Sequence, residues 1–267
     1  QEAIAGQLRG QLSADNLDIA AEAIMTTDTR PKRIARRVGG AVVAGIAKGA
    51  GMIEPDMATM LAFVFTDADL SPAVLRPMLQ KSVGKSFNMI SVDTDTSTSD
   101  TVIAMANGLA GEVDVDAFQA ALDEVCVHLA KEVARDGEGA SKLIEVAVTS
   151  ARDDAQAKRI AKAIVNSPLV KTAVHGADPN WGRLAMAIGK CHEETDISPD
   201  RLRMAFGDTC VFAKGEPQNV DLQALEAYLQ APEVRIVVDL GLQDGQAIAW
   251  GCDLTEEYVR INALYTT

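Results

Sequence analysis

A layered α/β fold is predicted by three features of this 267-residue sequence. Helical and strand-like segments alternate along the chain without a regular period or an internal repeat. The clearest helix, DAFQAALDEVCVHLAKEVA at 116–134, repeats its apolar residues at i, i+3, i+4 and i+7, the stripe of a helix laid on a core. MLAFVFTDA at 60–68 is instead apolar on consecutive positions, as in a strand covered on both faces.

In chain order, Ser13 or Asp15 caps a first helix carrying Leu17, Ile19, Ala20 and Ile24, which ends at MTTDT. RIARRV and AVVAGIA form a hairpin about Gly39-Gly40, a pair that accepts the positive φ of a tight turn. The glycine-rich KGAGMIEPD then delivers the chain to the strand at 60–68. Ser71-Pro72, cap then first-turn proline, opens a helix over 71–82. NMISVD and TVIAMA read as strands around the polar loop TDTSTSD. After helix 116–134 come the loop DGEGASK, the strand LIEVAVT and a helix at 153–167 stopped by Pro168. The remainder predicts a strand at 169–174, the loop HGADPNW, a helix at 183–190, a strand at 201–206, a helix at 221–230 and strands at 234–240 and 246–250. The region after Pro168 is expected to form a second lobe.

Composition narrows the function. Aromatic residues are only 4%, so Ala, Val, Ile, Leu and Met must fill the core. Lys plus Arg at 25 against Asp plus Glu at 38 gives a net charge of −13, which repels a phosphate backbone; no nucleic-acid partner is expected. The longest apolar runs, such as MLAFVF, fall far short of the roughly 20 residues that span a bilayer, and QEAIAGQLRGQ lacks the basic head and apolar run of a signal peptide. No membrane partner is expected, and the cytoplasm is the expected compartment. Cys126, Cys191, Cys210 and Cys252 form no C-x-x-C pair and read as reduced thiols, not as metal ligands. Ile46 stands where a phosphate-binding loop needs its lysine, and the run from Asp93 has Thr98 and Ala104 where a calcium loop needs glycine and glutamate.

KGAGMIEPDMATML at 48–61 carries the sharpest chemical signal. A flexible approach and a small-residue junction, Ala58-Thr59, deliver a hydroxyl to the first position of a buried strand. The Thr59 hydroxyl can attack the Ala58 carbonyl, pass through an ester, and leave Thr59 with a free α-amine as its own base. Such an amine titrates near about 7.7–8.0, so no histidine is needed. Chemistry alone favours a plain hairpin loop with a strand-initiating threonine, since Ala-Thr junctions are common.

MTTDTRPK at 25–32, KGAGMIEPDMATML at 48–61, SVDTDTSTSDT at 91–101, DGEGASK at 136–142, DPNWGR at 178–183 and RINALYTT at 260–267 follow one another in the order seen in the ornithine acetyltransferases, the bifunctional glutamate N-acetyltransferases of arginine biosynthesis. The sequence resembles that family over nearly its whole length. The resemblance implies an α-β-β-α-type sandwich with a smaller C-terminal α/β lobe. It also implies self-cleavage between Ala58 and Thr59, so that residues 1–58 close an α fragment and 59–267 form a β fragment, with a lobe boundary near 168.

Thr59 then becomes the acetyl-carrying nucleophile, moving acetyl from N2-acetylornithine to glutamate by a ping-pong route. Thr26, Lys48, Glu138, Asn262 and Thr267 are implied to surround the substrate together with Thr59. Lys48, hydroxyls and an amide suit an α-carboxylate, and Glu138 suits the ornithine ammonium. On residue chemistry alone, Lys48 reads as a solvated surface lysine, Glu138 as a loop carboxylate, and Asn262 and Thr267 as a frayed terminus. His128, His175 and His192 read as structural. No metal or bound cofactor is implied, acetyl-CoA is an open choice of donor, and a heterotetramer or larger assembly of the two fragments is expected. The family's Thr-Gly oxyanion pair has no match before Thr26, which implies an N-terminally incomplete chain. Two rival readings remain at this level: a self-processed N-terminal-nucleophile aminopeptidase or amidase, and an inactive paralogue.

Overall fold

The computed structural model describes residues 16–53, 60–95 and 99–264. Strands β1 (Lys32–Val38) and β2 (Ala41–Lys48) form the expected hairpin, with Gly39 at φ +59° in its turn. β3 (Leu61–Ala68) pairs antiparallel with β2. Ala62, Val64 and Ala68 are fully buried and their alternates half-buried, so β3 is covered on both sides, as its unbroken apolar run requires. After the two-residue β4 (Ile90–Ser91), β5 (Thr101–Gly111) runs parallel to β3 and completes a four-stranded sheet ordered β1-β2-β3-β5.

The second sheet has seven strands. To β4 it adds β6 (Leu143–Ala151), β7 (Arg203–Phe206), β8 (Thr209–Ala213), β9 (Glu216–Pro217), β10 (Glu233–Asp239) and β11 (Gly245–Cys252), in the order β4-β11-β6-β10-β7-β8-β9. β6 lies between β10 and β11, so strands from both sides of residue 168 share this sheet.

The helices are α1 (Leu17–Ala23), α2 (Pro72–Lys85), α3 (Val115–Arg135), α4 (Asp154–Val165), α5 (Pro168–His175), α6 (Trp181–Gly189), α7 (Leu222–Leu229) and α8 (Glu256–Leu264). Side chains of Asp114, Asp153, Ser167 and Asp221 accept backbone N–H bonds at the starts of α3, α4, α5 and α7. The expected caps of α1, Ser13 and Asp15, lie outside the described residues. α3 packs on β1 and β2 of one sheet and on β4, β6 and β11 of the other, so a helix stands between the sheets there. Its Leu122, Val125 and Leu129 are fully buried, and truncating one of them to alanine costs about 2–5 kcal/mol. α4 covers β6 and β11. As the low aromatic content requires, the core between these layers is mostly aliphatic.

Three expectations are corrected. The segment 169–174 is helix, not strand. Pro168 occupies the first turn of α5, where its missing N–H is no loss, and Ser167 caps it; the buried Val170, Lys171, Ala173 and Val174 make one helical stripe. NMISVD is a short 3-10 turn over Phe87–Met89 followed by β4 alone. β8 and β9 were not foreseen, although Gly207 and the Lys214-Gly215 pair, all at positive φ, mark the turns that make them.

Candidate active site

The first motif folds into a carboxylate hub. Asp28 accepts from the N–H groups of Thr26 (3.1 Å) and Gly49 (2.7 Å) and from Lys32 Nζ (2.5 Å). Lys32 is fully buried and its Nζ also lies 2.6 Å from Asp136 Oδ2. Asp136 accepts from Thr29 as well, through its backbone N–H (3.0 Å) and its hydroxyl. Burial pushes the Asp28 carboxyl up, but the Gly49 N–H, the Lys32 bond and the Lys32 charge outweigh it and hold Asp28 below the ordinary carboxylate value. MTTDTRPK, KGAG and DGEGASK therefore meet at one buried charge cluster.

Above this hub the β2–β3 ladder sets Lys48 opposite Leu61, two residues beyond Thr59 in the chain. Lys48 is buried, at 6% exposure, and its Nζ is 3.4 Å from Thr26 Oγ1. The expected solvated lysine is thus a nearly enclosed cation beside a hydroxyl. Glu138 is half-buried; its backbone N–H donates to Ala50 O (2.8 Å), and its carboxylate lies over Gly51, where a Cβ would stand 2.5 Å away. Asn262, on α8, donates from Nδ2 to Glu138 Oε2 at 3.1 Å. Gly139, at φ +70°, permits this docking, since a Cβ there would be 2.4 Å from the Tyr258 nitrogen.

The structure therefore joins Thr26 to Lys48 and Glu138 to Asn262, and links the pairs through the loop at 49–51. Ala58, Thr59 and Thr267 lie outside the described residues.

Two acids from SVDTDTSTSDT were not singled out by the sequence. Asp93 accepts from the N–H groups of Met52 (2.7 Å) and Ile53 (2.8 Å), and its charge acts on the Tyr258 hydroxyl. Asp100 accepts from Met60 N–H at 2.5 Å. Burial pushes the Asp100 carboxyl up to about 6, against the pull of Met60 N–H and the Lys48 charge. Burial, and then the charges of Asp93, Asp95 and Glu138, push the Tyr258 hydroxyl up to about 12, so it is a donor at neutral pH.

His175 keeps its structural role. Its Nδ1 is 2.9 Å from Asp253 Oδ2, and the Ser141 hydroxyl donates to that same oxygen (2.5 Å), not to the imidazole. Cys126 is no nucleophile either, because burial and then the charge of Asp123 push its thiol up to about 12.

A family model described as ArgJ matches residues 2–267. The chain belongs to the ArgJ family. It is 57% identical over 254 residues to "Glutamate N-acetyltransferase Oat2" of Streptomyces clavuligerus, an alignment that covers 94% of this chain and 65% of that protein. It is 55% identical over 257 residues to "Arginine biosynthesis bifunctional protein ArgJ 2" of Nostoc, covering 96% of this chain and 66% of the relative. The chain thus spans about two thirds of the length of these curated relatives. The crystal structure of the arginine biosynthesis bifunctional protein argJ of Bacillus halodurans is similar in fold, with a TM-score of 0.73 and 44% identity over 76% of this chain and 98% of that one. The mixed α/β architecture with two sheets is accordingly that of an ArgJ-family member. No helix among the described residues is long and apolar enough to cross a membrane.

Proposed function

We propose that this ArgJ-family chain belongs to an acetyltransferase that carries acetyl from N2-acetylornithine to glutamate on Thr59, after self-cleavage at Ala58-Thr59. In the cleavage, the Thr59 oxygen attacks the Ala58 carbonyl and its proton passes to the departing α-amine; water then opens the ester, leaving an Ala58 carboxylate and a free Thr59 amine. In turnover the Thr59 oxygen attacks the acetyl carbonyl, its proton goes to the amine of the departing ornithine, and the glutamate amine takes the acetyl from the ester. The hydroxyl is regenerated. A covalent threonine ester needs no metal or bound cofactor, and acetyl-CoA, itself an acyl thioester, is a chemically suitable second donor.

The observation that carries this reading is the placement of Lys48. Strand pairing sets it opposite Leu61, two residues beyond Thr59 in the chain, and leaves an enclosed ammonium beside Thr26, a setting for an α-carboxylate. Glu138, braced by Asn262, supplies the opposite charge for the ornithine ammonium; Thr267 belongs to the same substrate set by resemblance. The four free cysteines suit a reducing compartment, and we place the protein in the cytoplasm. β1 and β2 precede the cut while β3 follows it, so the β2–β3 ladder and the seat of α3 on β1 and β2 hold the fragments 1–58 and 59–267 together, as a heterotetramer or larger assembly requires.

Intact-mass measurement on protein expressed from its complete coding sequence tests the cut. Two fragments are expected, one ending at Ala58 and one beginning at Thr59, co-purifying until denatured, whereas Thr59→Ala stays uncut and inactive. An active wild type with a single uncut mass overturns the mechanism. Offering acetylornithine or acetyl-CoA as donor, and glutamate or water as acceptor, defines the activity and separates transfer from amide hydrolysis.

A further inference from the structure

Residues 92–93 and 100–101 hold the chain on either side of residues 54–59. Upstream of residues 54–59, Asp93 accepts from Met52 and Ile53, and Val92 N–H donates to Ile53 O at 2.7 Å. Downstream, Asp100 accepts from Met60 N–H and Thr101 N–H donates to Met60 O at 3.0 Å. The Met60 N–H belongs to the peptide unit that joins Met60 to Thr59. A group that holds this N–H therefore acts on the nucleophile through a single peptide bond.

We propose that Asp100 is a positioning residue for Thr59, fixing through the Met60 N–H the approach of the hydroxyl in both self-cleavage and acetyl transfer. This rests on the Thr59 reading above and adds a residue to it. A neutral acceptor would satisfy one amide equally well if stability were the only demand. Instead the site places a carboxyl beside a small cavity whose lining includes Ile53, Met60, Val83, Phe87 and Val102, with the uncharged Asn88 as a further lining residue. Apolar surroundings disfavour the ionised form, and the one charged side chain that acts on Asp100 among the described residues is Lys48 from β2. Ionised, Asp100 makes a charge-assisted bond to Met60 N–H; protonated, its acceptor strength falls. Its carboxyl is pushed up to about 6, so nucleophile placement weakens as pH falls through that value.

The test compares Asp100→Asn, Asp100→Ala and wild type by intact mass and by kcat and KM for acetylornithine across pH 5–9. Misplacing a reacting group by about 1 Å can cost on the order of 10²-fold. Asp100→Ala is expected to slow self-cleavage and to lower kcat by about that factor with KM within about threefold. Asp100→Asn keeps shape and an acceptor oxygen, so it is expected to cleave and retain more activity than the alanine variant, keeping the fall that the Thr59 amine sets and losing the further, steeper fall below pH 6. An Asp100→Ala protein that is cut and as active as a cut, active wild type overturns the role of Asp100 alone. So does an Asp100→Asn profile that keeps the steeper fall below pH 6. A wild type that is neither cut nor active overturns the Thr59 reading, and the role of Asp100 with it.

Discussion

Lys32 bridges Asp28 and Asp136 with a fully buried ammonium, 2.5 Å from one carboxylate and 2.6 Å from the other. The bridge ties the start of β1 to the end of α3, and through Asp28 it reaches the Gly49 N–H next to Lys48. Removing one partner of a buried pair leaves uncompensated charge, which costs about 3–5 kcal/mol. Lys32→Met should therefore lower the unfolding free energy by that order at neutral pH, read as a lower urea midpoint, with two carboxylates left facing each other. The contribution of Asp28 has the opposite pH sense from that of Asp100. Its folded carboxyl is held low, so its stabilisation is present above the unfolded value of 3.8 and is lost only as pH falls through the lower folded value. An unchanged midpoint for Lys32→Met would remove the hub from the account.

Much of this hub was visible as motif and invisible as contact. MTTDTRPK and DGEGASK were recognisable strings, but residues 28 and 136 are brought together only by α3 seating on β1, a tertiary contact with no local signal. The hairpin at 32–48 and the helix at 115–135 were legible because turn glycines and a 3.6-residue stripe are local. α5 was misread because Pro168 serves both as a stop and as a first-turn residue, and local pattern does not separate the two uses. Thr26, Lys48, Glu138 and Asn262 came from family resemblance, while chemistry alone read Lys48 as solvated, Glu138 as a loop carboxylate and Asn262 as part of a frayed end. Asp93 ended a segment read as a strand and opened a run rejected as a calcium loop, and Asp100 sat in a loop read only as polar, since carboxylates aimed at backbone N–H groups leave no pattern in sequence.

Lys48 should act on binding more than on chemistry. A hydrogen bond to a charged partner contributes about 1.5–3 kcal/mol, so Lys48→Gln should raise KM for acetylornithine roughly 10- to 100-fold with a smaller loss in kcat. The Lys48 charge also pulls the Asp100 carboxyl down, and its removal should move the acid limb of the rate profile to higher pH. A thousandfold fall in kcat at constant KM would place Lys48 among the reacting groups.

Asp100 should limit stability while serving activity. Its folded carboxyl is raised to about 6 from 3.8, so the folded state favours the proton. The resulting stability is fully present below the unfolded value and is lost as pH rises through about 6. Asp100→Asn lacks this titration and is expected to melt at higher temperature than wild type at pH 8, with the two curves converging by pH 4. A carboxylate kept only for structure would give the reverse order at pH 8. Thermal melts at both pH values, run on Thr59→Ala backgrounds so that cleavage is equalised, decide between them.

Helix α8 gives the last prediction, because an exposed helix with few buried contacts is ordinarily loosely held and this one meets the site at two points. α8 buries no residue fully, yet its Tyr258 hydroxyl feels the Asp93 charge and its Asn262 bonds to Glu138. The first reaches the upstream end of the nucleophile loop, whose Met52 and Ile53 N–H groups share the Asp93 carboxylate. The second braces the carboxylate proposed to meet the substrate ammonium. Deleting residues 262–267 removes the second and leaves the first, because Tyr258 lies upstream of the deletion. Self-cleavage, which needs the loop and its Asp93 and Asp100 contacts, should proceed as in the intact protein. Acetyl transfer should fall severely, and the acetyl-enzyme should lose acetyl to water more readily once Glu138 is unbraced. Tyr258→Phe should show the complementary pattern: it removes the hydroxyl that Asp93 acts on while keeping Asn262 on Glu138, so any defect should appear first in the rate of the cut. The ratio of acetylornithine hydrolysis to transfer, measured beside the cleavage rate for both variants, separates these effects. Equal transfer kinetics in the truncated protein would return Asn262 and Thr267 to the status of an ordinary chain end.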